Sequence, residues 1–300
     1  MLKIGVLGLG NIAQKAYLPV MAAMQDQYEF HLTTRNAEKR QKLAATYGFT
    51  HTHATVAELI AAKPAAVFVH TPTATHAAII KQLLMADINV YVDKPVATDL
   101  NDVQALYALA ATRHLLLTCG FNRRFAPFNQ QLKGLPDKRV ITAEKVRETG
   151  GQTVEAAVFD LMIHTVDTGL YLLDAPLIET TGRIVASATG QLEQGYFSAQ
   201  TERTQLNVVT NMYGGVNLEQ TTVQTVTDRA TVTNLNMLQQ FKTAQSETTL
   251  MPDWTPTLEI RGFAPLIRAF LTAVATHGQN PVDPTSVITS HAVCRHLLSH

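Results

Sequence analysis

Lys94 stands between Asp93 and Pro95, at the end of the apolar run Val90-Tyr91-Val92. Pro95 fixes its own φ and restricts the residue before it, so the Lys94 ammonium is aimed instead of sweeping through solvent. An aimed lysine donates a hydrogen bond to a substrate oxygen or takes part in proton transfer. A second group, Asp160, His164 and Asp167, recurs at i, i+4 and i+7. That spacing places all three on one face of a helix, with Leu161, Ile163, Leu170 and Leu172 filling much of the remainder. An imidazole aligned with two acids suits acid–base chemistry. The same spacing chelates metals, a reading ranked lower, and no metal ligand is assigned. A lone helical histidine would more often be a core or surface residue.

A third group sits at the start of the chain, where Lys3-Ile4-Gly5-Val6-Leu7 runs into Gly8-Leu9-Gly10-Asn11-Ile12-Ala13. Strand, G-x-G-x-x-A turn and helix together make a dinucleotide site. Gly8 permits the tight turn, Gly10 lets backbone approach a pyrophosphate, and Ala13 lets helix and strand pack closely. The amides around Asn11 and Ile12 then face the phosphates from a helix N-terminus. At the end of the next strand an NAD site usually carries an acid for the ribose 2′-hydroxyl, whereas this chain reads Thr33-Thr34-Arg35-Asn36. Thr34, Arg35 and Asn36 can all donate to a 2′-phosphate, so NADP is the expected cofactor and NAD the alternative. The competing view is that Arg35 only starts a solvated helix with Lys39 and Arg40. Thr71-Pro72 and His76 end a further strand and open the next helix, placed to touch the cofactor or its ribose. Thr73 or Thr75 equally serves as a helix cap.

These residues need elements to hold them. From Lys3 to about Gly120, short apolar runs alternate with helical patterns, the signature of βαβ units. Strands are expected at 4–7, 29–33, 66–70, 89–92 and 115–119, with helices at 37–47, 75–86 and 101–112 between them. After a transition at 120–135 the texture changes to long polar–apolar alternations, predicting strands at 139–148, 180–189, 197–213, 216–227 and 229–238. Helices are expected at 155–173, 263–276 and 286–299. The predicted fold is α/β: an N-terminal Rossmann doubly wound parallel sheet over 1–120, then a C-terminal α+β domain with an open, mainly antiparallel sheet over 121–300. The C-terminal helix has the option of returning to the first domain.

Composition sets the outer bounds. A chain of 300 residues that is 46% hydrophobic can bury a sizeable core. Lys+Arg and Asp+Glu are equal at 24, so net charge points to neither nucleic acid nor an acidic membrane surface. The start Met1-Leu2-Lys3 leads straight into a strand without a basic leader or an apolar span, and a cytoplasmic protein is expected. Cys119 and Cys294 are the only cysteines and are expected as buried, reduced thiols.

The motifs together resemble the glucose-fructose oxidoreductase / inositol dehydrogenase (Gfo/Idh/MocA) family. They are the G-x-G-x-x-A turn, Thr71-Pro72 with His76, the Lys94-Pro95 pair, Gly120-Phe121-Asn122-Arg123-Arg124-Phe125, and the Asp160/His164/Asp167 helix. The resemblance implies an oxidoreductase passing hydride between the nicotinamide and a carbinol carbon of a sugar or polyol. It implies Lys94 and His164 as the proton-transfer pair and Asp160 as the residue orienting substrate or tuning them, with Asn122 and Arg123 on the substrate side. It also implies a homodimer or homotetramer using the open face of the second sheet. Two departures from the family pattern stand out. Asp93 stands where a Glu is frequent, and Met162 and Ile163 stand near where glycines are frequent, which predicts a narrowed pocket. Two rival functions remain: a non-catalytic dinucleotide sensor of the same fold, and a metal-dependent hydrolase or lyase built on the Asp/His helix.

Overall fold

The computed structural model describes residues 1–299, which divide into two compact units. The first comprises Met1–Gly120 with Phe263–Ile288, the second Phe121–Gly262 with the last segment from Thr289.

The first unit holds six strands: β1 Leu2–Leu7, β2 Tyr28–Thr33, β3 His51–His53, β4 Ala66–Val69, β5 Asn89–Val92 and β6 Leu117–Cys119. All their pairings are parallel, in the order β3-β2-β1-β4-β5-β6. This is the Rossmann arrangement, with its topological switch between β1 and β4. Residues such as Ile4, Val6, Phe68, Val90 and Val92 are fully buried, as expected for a sheet covered on both faces. Local chemistry fixes the helices around it. Asn36 caps the helix Ala37–Tyr47 by accepting from Lys39 N at 2.8 Å, and Gly48 ends it at φ +76°. Thr55 caps the start of Val56–Ala61 by accepting from Glu58 N at 3.1 Å, and the Glu58 carboxylate reaches back to accept from Ala54 N at 2.9 Å.

The helix Phe263–Thr276 belongs to this unit because Phe270 packs edge-on to Phe68 at 5.2 Å and beside Tyr91 at 5.5 Å between ring centroids. Burying such a ring is worth roughly 1.5–3 kcal/mol.

The second unit is built on eight strands: β7 Lys138–Val146, β8 Glu179–Ala186, β9 Leu192–Gln200, β10 Gln205–Asn211, β11 Leu218–Thr225, β12 Asp228–Thr233, β13 Met237–Lys242 and β14 Gln245–Leu250. Their order is β14-β13-β12-β11-β7-β10-β9-β8, antiparallel except for the β7–β10 pair. Two stretches expected as single strands are hairpins: 197–213 turns at Thr201–Thr204, and 229–238 turns at Asn234–Asn236. Turns without a Gly or Pro leave no break in the alternation, and the second carries the buried Leu235.

The helix expected over 155–173 begins at Val154 and contains a π-helical turn, Val158–Met162, before the α-helix Ile163–Leu172. The α-helical part lies close on β10, where a Cβ at Gly169 would meet Leu206 Cδ1 at 2.7 Å. Met162 and Ile163 are fully buried, and the Met162 sulfur covers Gly195 of β9. These side chains fill the core over the sheet, and the expectation that they narrow a pocket is corrected.

Candidate active site

At the carboxyl ends of β1, β2 and β4 lies a cleft of about 650 Å³. Gly8, Gly10, Thr34, Arg35, Thr71 and Pro72 from the expected cofactor set line it. The two glycines are required for different reasons. Gly8 has φ +89°, and a Cβ there would lie 2.8 Å from the His70 carbonyl and the Thr71 amide, so the fold itself demands glycine. At Gly10 the nearest atom to an added Cβ is His70 O at 4.0 Å. The protein has room for a side chain there, so its absence suits a group that approaches the backbone from the cleft. Gln14 N bonds to Gly10 O at 3.1 Å, and the amides before it have the unsatisfied character of a helix start.

The cationic end of the cleft is formed by Arg35 and Lys39, both exposed, and no carboxylate is among the lining residues. Arg40 Nη1 donates to Thr34 O at 2.5 Å, fixing the backbone beneath them. Two buried polar side chains in the lining have no hydrogen-bond partner: Thr33 Oγ1 and both ring nitrogens of His70. Unsatisfied buried polar atoms are costly, and a polar ligand in the cleft would satisfy them. Burial, aided by nearby His76, pushes the His70 imidazole down to about 3, so the ring is neutral. Open Gly10, unsatisfied Thr33 and His70, and paired cations all fit a phosphorylated dinucleotide.

Other expected cofactor residues lie outside this lining. Asn36 uses its side chain as the helix cap. His76 is buried and bridges two backbone carbonyls, Nε2 to Thr71 O at 2.8 Å and Nδ1 to Pro95 O at 2.9 Å. It therefore ties the Thr71 loop to the Lys94-Pro95 loop. Asn11 and Ile12 sit on the first helical turn and Lys94 beyond β5, none of them on the cleft wall.

Lys94 is half-buried. Next to it, Asp93 Oδ1 accepts from Tyr17 OH at 2.8 Å, and Tyr17 OH lies 3.1 Å from Tyr91 OH. Burial first, then the Asp93 charge, raises Tyr17 well above the usual phenol range, so it remains a donor. Gly120 completes this cluster, since a Cβ there would crowd Tyr91 OH at 3.0 Å and Tyr17 OH at 3.2 Å. The Tyr17 ring also packs against that of His70, tilted by 35° with centroids 3.9 Å apart. Sequence reasoning did not single out Tyr17, Tyr91 or His70 as site residues. A histidine at a strand end followed by Thr-Pro was the one available signal.

In the second unit, Arg123 Nη1 is 2.9 Å from His164 Nδ1. Arg123 Nε and Nη2 donate to the two oxygens of Glu219 at 2.6 and 2.9 Å, and Lys145 Nζ reaches Glu219 Oε2 at 2.5 Å. Burial would raise the Glu219 carboxyl, but Arg123 and Lys145 override it and hold it far below the usual range. Asn122 is buried, donating to Arg261 O at 2.6 Å and accepting from Arg123 Nη1 at 3.3 Å. Asn122 and Arg123 thus form a scaffold around His164.

The two acids do not share one environment. Asp167 is 1% exposed, paired with Arg124 and accepting from Ser290 at 2.9 Å, whereas Asp160 is exposed and accepts from Gln152 at 2.9 Å. A π turn, Val158–Met162, contains Asp160, whereas Asp167 lies in the α-helical part that follows. Cys119 and Cys294 are buried and outside any disulfide, and among the described residues no helix is long and apolar enough to cross a membrane.

Residues 2–121 match the family profile described as an oxidoreductase family with an NAD-binding Rossmann fold (GFO_IDH_MocA). YceM of Salmonella typhimurium is 33% identical over 285 residues, covering 91% of this chain and 89% of its own. A UDP-N-acetylglucosamine 3-dehydrogenase of Acidithiobacillus ferrooxidans is 29% identical over 203 residues, 64% of this chain and 61% of its own. Among solved structures, a Gfo/Idh/MocA family oxidoreductase from Vibrio cholerae superposes with a TM-score of 0.91 at 29% identity, covering 100% of this chain and 99% of its own.

Proposed function

Because the chain belongs to the Gfo/Idh/MocA family of oxidoreductases, we propose that it is an NADP-dependent dehydrogenase or reductase. It acts on a carbinol or carbonyl carbon of a sugar, polyol or nucleotide-sugar substrate. The observation that carries the cofactor choice is the cleft lining, which offers Arg35 and Lys39 and no carboxylate. A 2′-phosphate needs cationic donors and is repelled by an acid. Likeness to a UDP-N-acetylglucosamine 3-dehydrogenase supports the substrate class.

When bound, the dinucleotide supplies hydride exchange. Gly8, Gly10, Thr33, Thr34, Arg35, His70, Thr71 and Pro72 would hold it. Lys94, aimed by Pro95 and flanked by the Tyr17–Asp93 hydrogen bond, exchanges the proton of the substrate hydroxyl. The guanidinium of Arg123 has no acceptor, so His164 Nδ1 accepts from it and the neutral ring carries its proton on Nε2. In this reading His164 donates a hydrogen bond to the substrate oxygen and leaves net proton transfer to Lys94. Asp160 orients a substrate hydroxyl, and Asn122 and Arg123 position His164.

Screening polyols, sugars and nucleotide sugars for NADP reduction tests the proposal, with Lys94→Ala as control. Turnover lost in the variant supports it; undiminished activity removes Lys94 from the chemistry. Dinucleotide binding without turnover across the screen would favour the sensor reading. The same proposal includes a homodimer or homotetramer formed through the open face of the eight-stranded sheet. A monomer in light scattering would reject that part.

A further inference from the structure

Glu29 and His31 alternate along β2, and His51 and His53 along β3. The parallel register sets His31 beside His51 and Thr33 beside His53, so all four side chains share one face of the outer strand pair. The Glu29 carboxylate lies between two imidazoles, with Oε1 2.8 Å from His31 Nε2 and Oε2 3.7 Å from His51 Nε2. One donor atom from each of Glu29, His31 and His51 falls within 4.8 Å of the others.

We infer that this cluster is a binding site for a dication of the Zn2+ type, with Glu29, His31 and His51 as its protein ligands. Two imidazoles and a carboxylate are a donor set that zinc favours, water completing the tetrahedron. Bonds of about 2.0–2.1 Å place tetrahedral ligand atoms roughly 3.3 Å apart. That spacing lies between the 2.8 and 3.7 Å of the two carboxylate–imidazole pairs, and all three donor atoms, within 4.8 Å of one another, draw together to meet the ion. The side chains of His51 and Glu29, 47% and 28% exposed, have room to move and give the ion a path in.

His53 supplies the outer support, its Nε2 lying 2.8 Å from His31 Nδ1. With the ion on His31 Nε2, the His31 proton resides on Nδ1 and is donated to His53 Nε2, while the His53 proton resides on its own Nδ1. No proton is gained or lost by the pair, and the liganding ring is held in orientation. A purely structural hydrogen-bond chain would run His53–His31–Glu29 and account for those three residues. It does not account for His51, whose ring stacks 4.7 Å from His31 while its Nε2 stands beyond hydrogen-bond distance of Glu29.

The test is calorimetric titration of ZnCl2 into the untagged, chelator-stripped full chain. One Zn2+ per chain with a micromolar or tighter Kd is expected, with affinity at least tenfold weaker in His51→Ala and in Glu29→Gln. His51→Gln keeps side-chain bulk and gives the same reading if the alanine variant unfolds. The proposal is overturned if the wild type takes up no Zn2+ at micromolar concentration. Undiminished affinity in the folded variants also overturns it, since the ion would then sit on others of the chain's 11 histidines.

Discussion

Arg123 holds His164 with one arm and Glu219 with the other two, donating from Nη1 to His164 Nδ1 at 2.9 Å and from Nε and Nη2 to the carboxylate at 2.6 and 2.9 Å. A guanidinium only donates, which assigns the His164 proton to Nε2. Nitrogen-15 spectra of labelled protein are expected to show the Nε2–H tautomer for His164 at neutral pH. Arg123→Met should give a mixture of tautomers. An Nδ1–H ring in the wild type would contradict the assignment.

Glu219 neutralises two buried cations at once, Arg123 and Lys145. Glu219→Gln keeps the shape and removes the charge, leaving both cations facing each other. Breaking a buried pair in this way costs about 3–5 kcal/mol. Urea unfolding should read that loss, and a change below the error of the method would mean that solvent screens the cluster.

Gly8 and Gly10 separate folding from binding. Gly8→Ala is expected to lower the melting temperature, since it adds left-handed strain and a 2.8 Å approach to backbone. Gly10→Ala is expected to melt like the wild type and bind dinucleotide at least tenfold more weakly, because its Cβ meets no protein atom closer than 4.0 Å. Equal dinucleotide affinity in Gly10→Ala and wild type would place the phosphates elsewhere.

His70 makes stability depend on pH in a defined direction. Its folded value of about 3 lies below the ordinary 6.5, so the unfolded chain binds the proton more readily. Its contribution is complete above about pH 6.5 and is lost as pH falls toward 3, at up to about 1.4 kcal/mol per pH unit. Glu219 titrates on unfolding only near 4.5 and below, so the window between 6.5 and 4.5 reports imidazoles. His53 shifts in the same direction, and the difference between wild type and His70→Leu isolates His70. A slope unchanged by that substitution would show that the ring is solvated.

Much of the first unit was legible because each level of the sequence agreed. The apolar runs gave β1, β2, β4 and β5 within a few residues, and the Ala-, Leu- and Lys-rich stretch 37–47 matched its helix, although its Asn36 cap and Gly48 stop were not read from the sequence. β3 escaped because His51-Thr52-His53 is a three-residue polar edge strand without apolar alternation. The hairpin at Thr201–Thr204 escaped because its turn carries no glycine or proline. At the candidate site the glycine turn and Arg35 were readable from local chemistry. Roles set by long-range partners were not: Asn122 with Arg261 and Arg123 with Glu219 lie 139 and 96 residues apart. The π turn at Val158–Met162 has no period that a sequence pattern reveals.

The central claim is a dinucleotide site that prefers a 2′-phosphate. Fluorescence titration of the full chain with NADPH and NADH, repeated on Arg35→Ala, tests it directly. NADPH should bind at least tenfold more tightly than NADH, and Arg35→Ala should erase most of that difference, a charged hydrogen bond being worth about 1.5–3 kcal/mol. Tighter binding of NADH, or a preference for NADPH untouched by the loss of Arg35, would contradict the account.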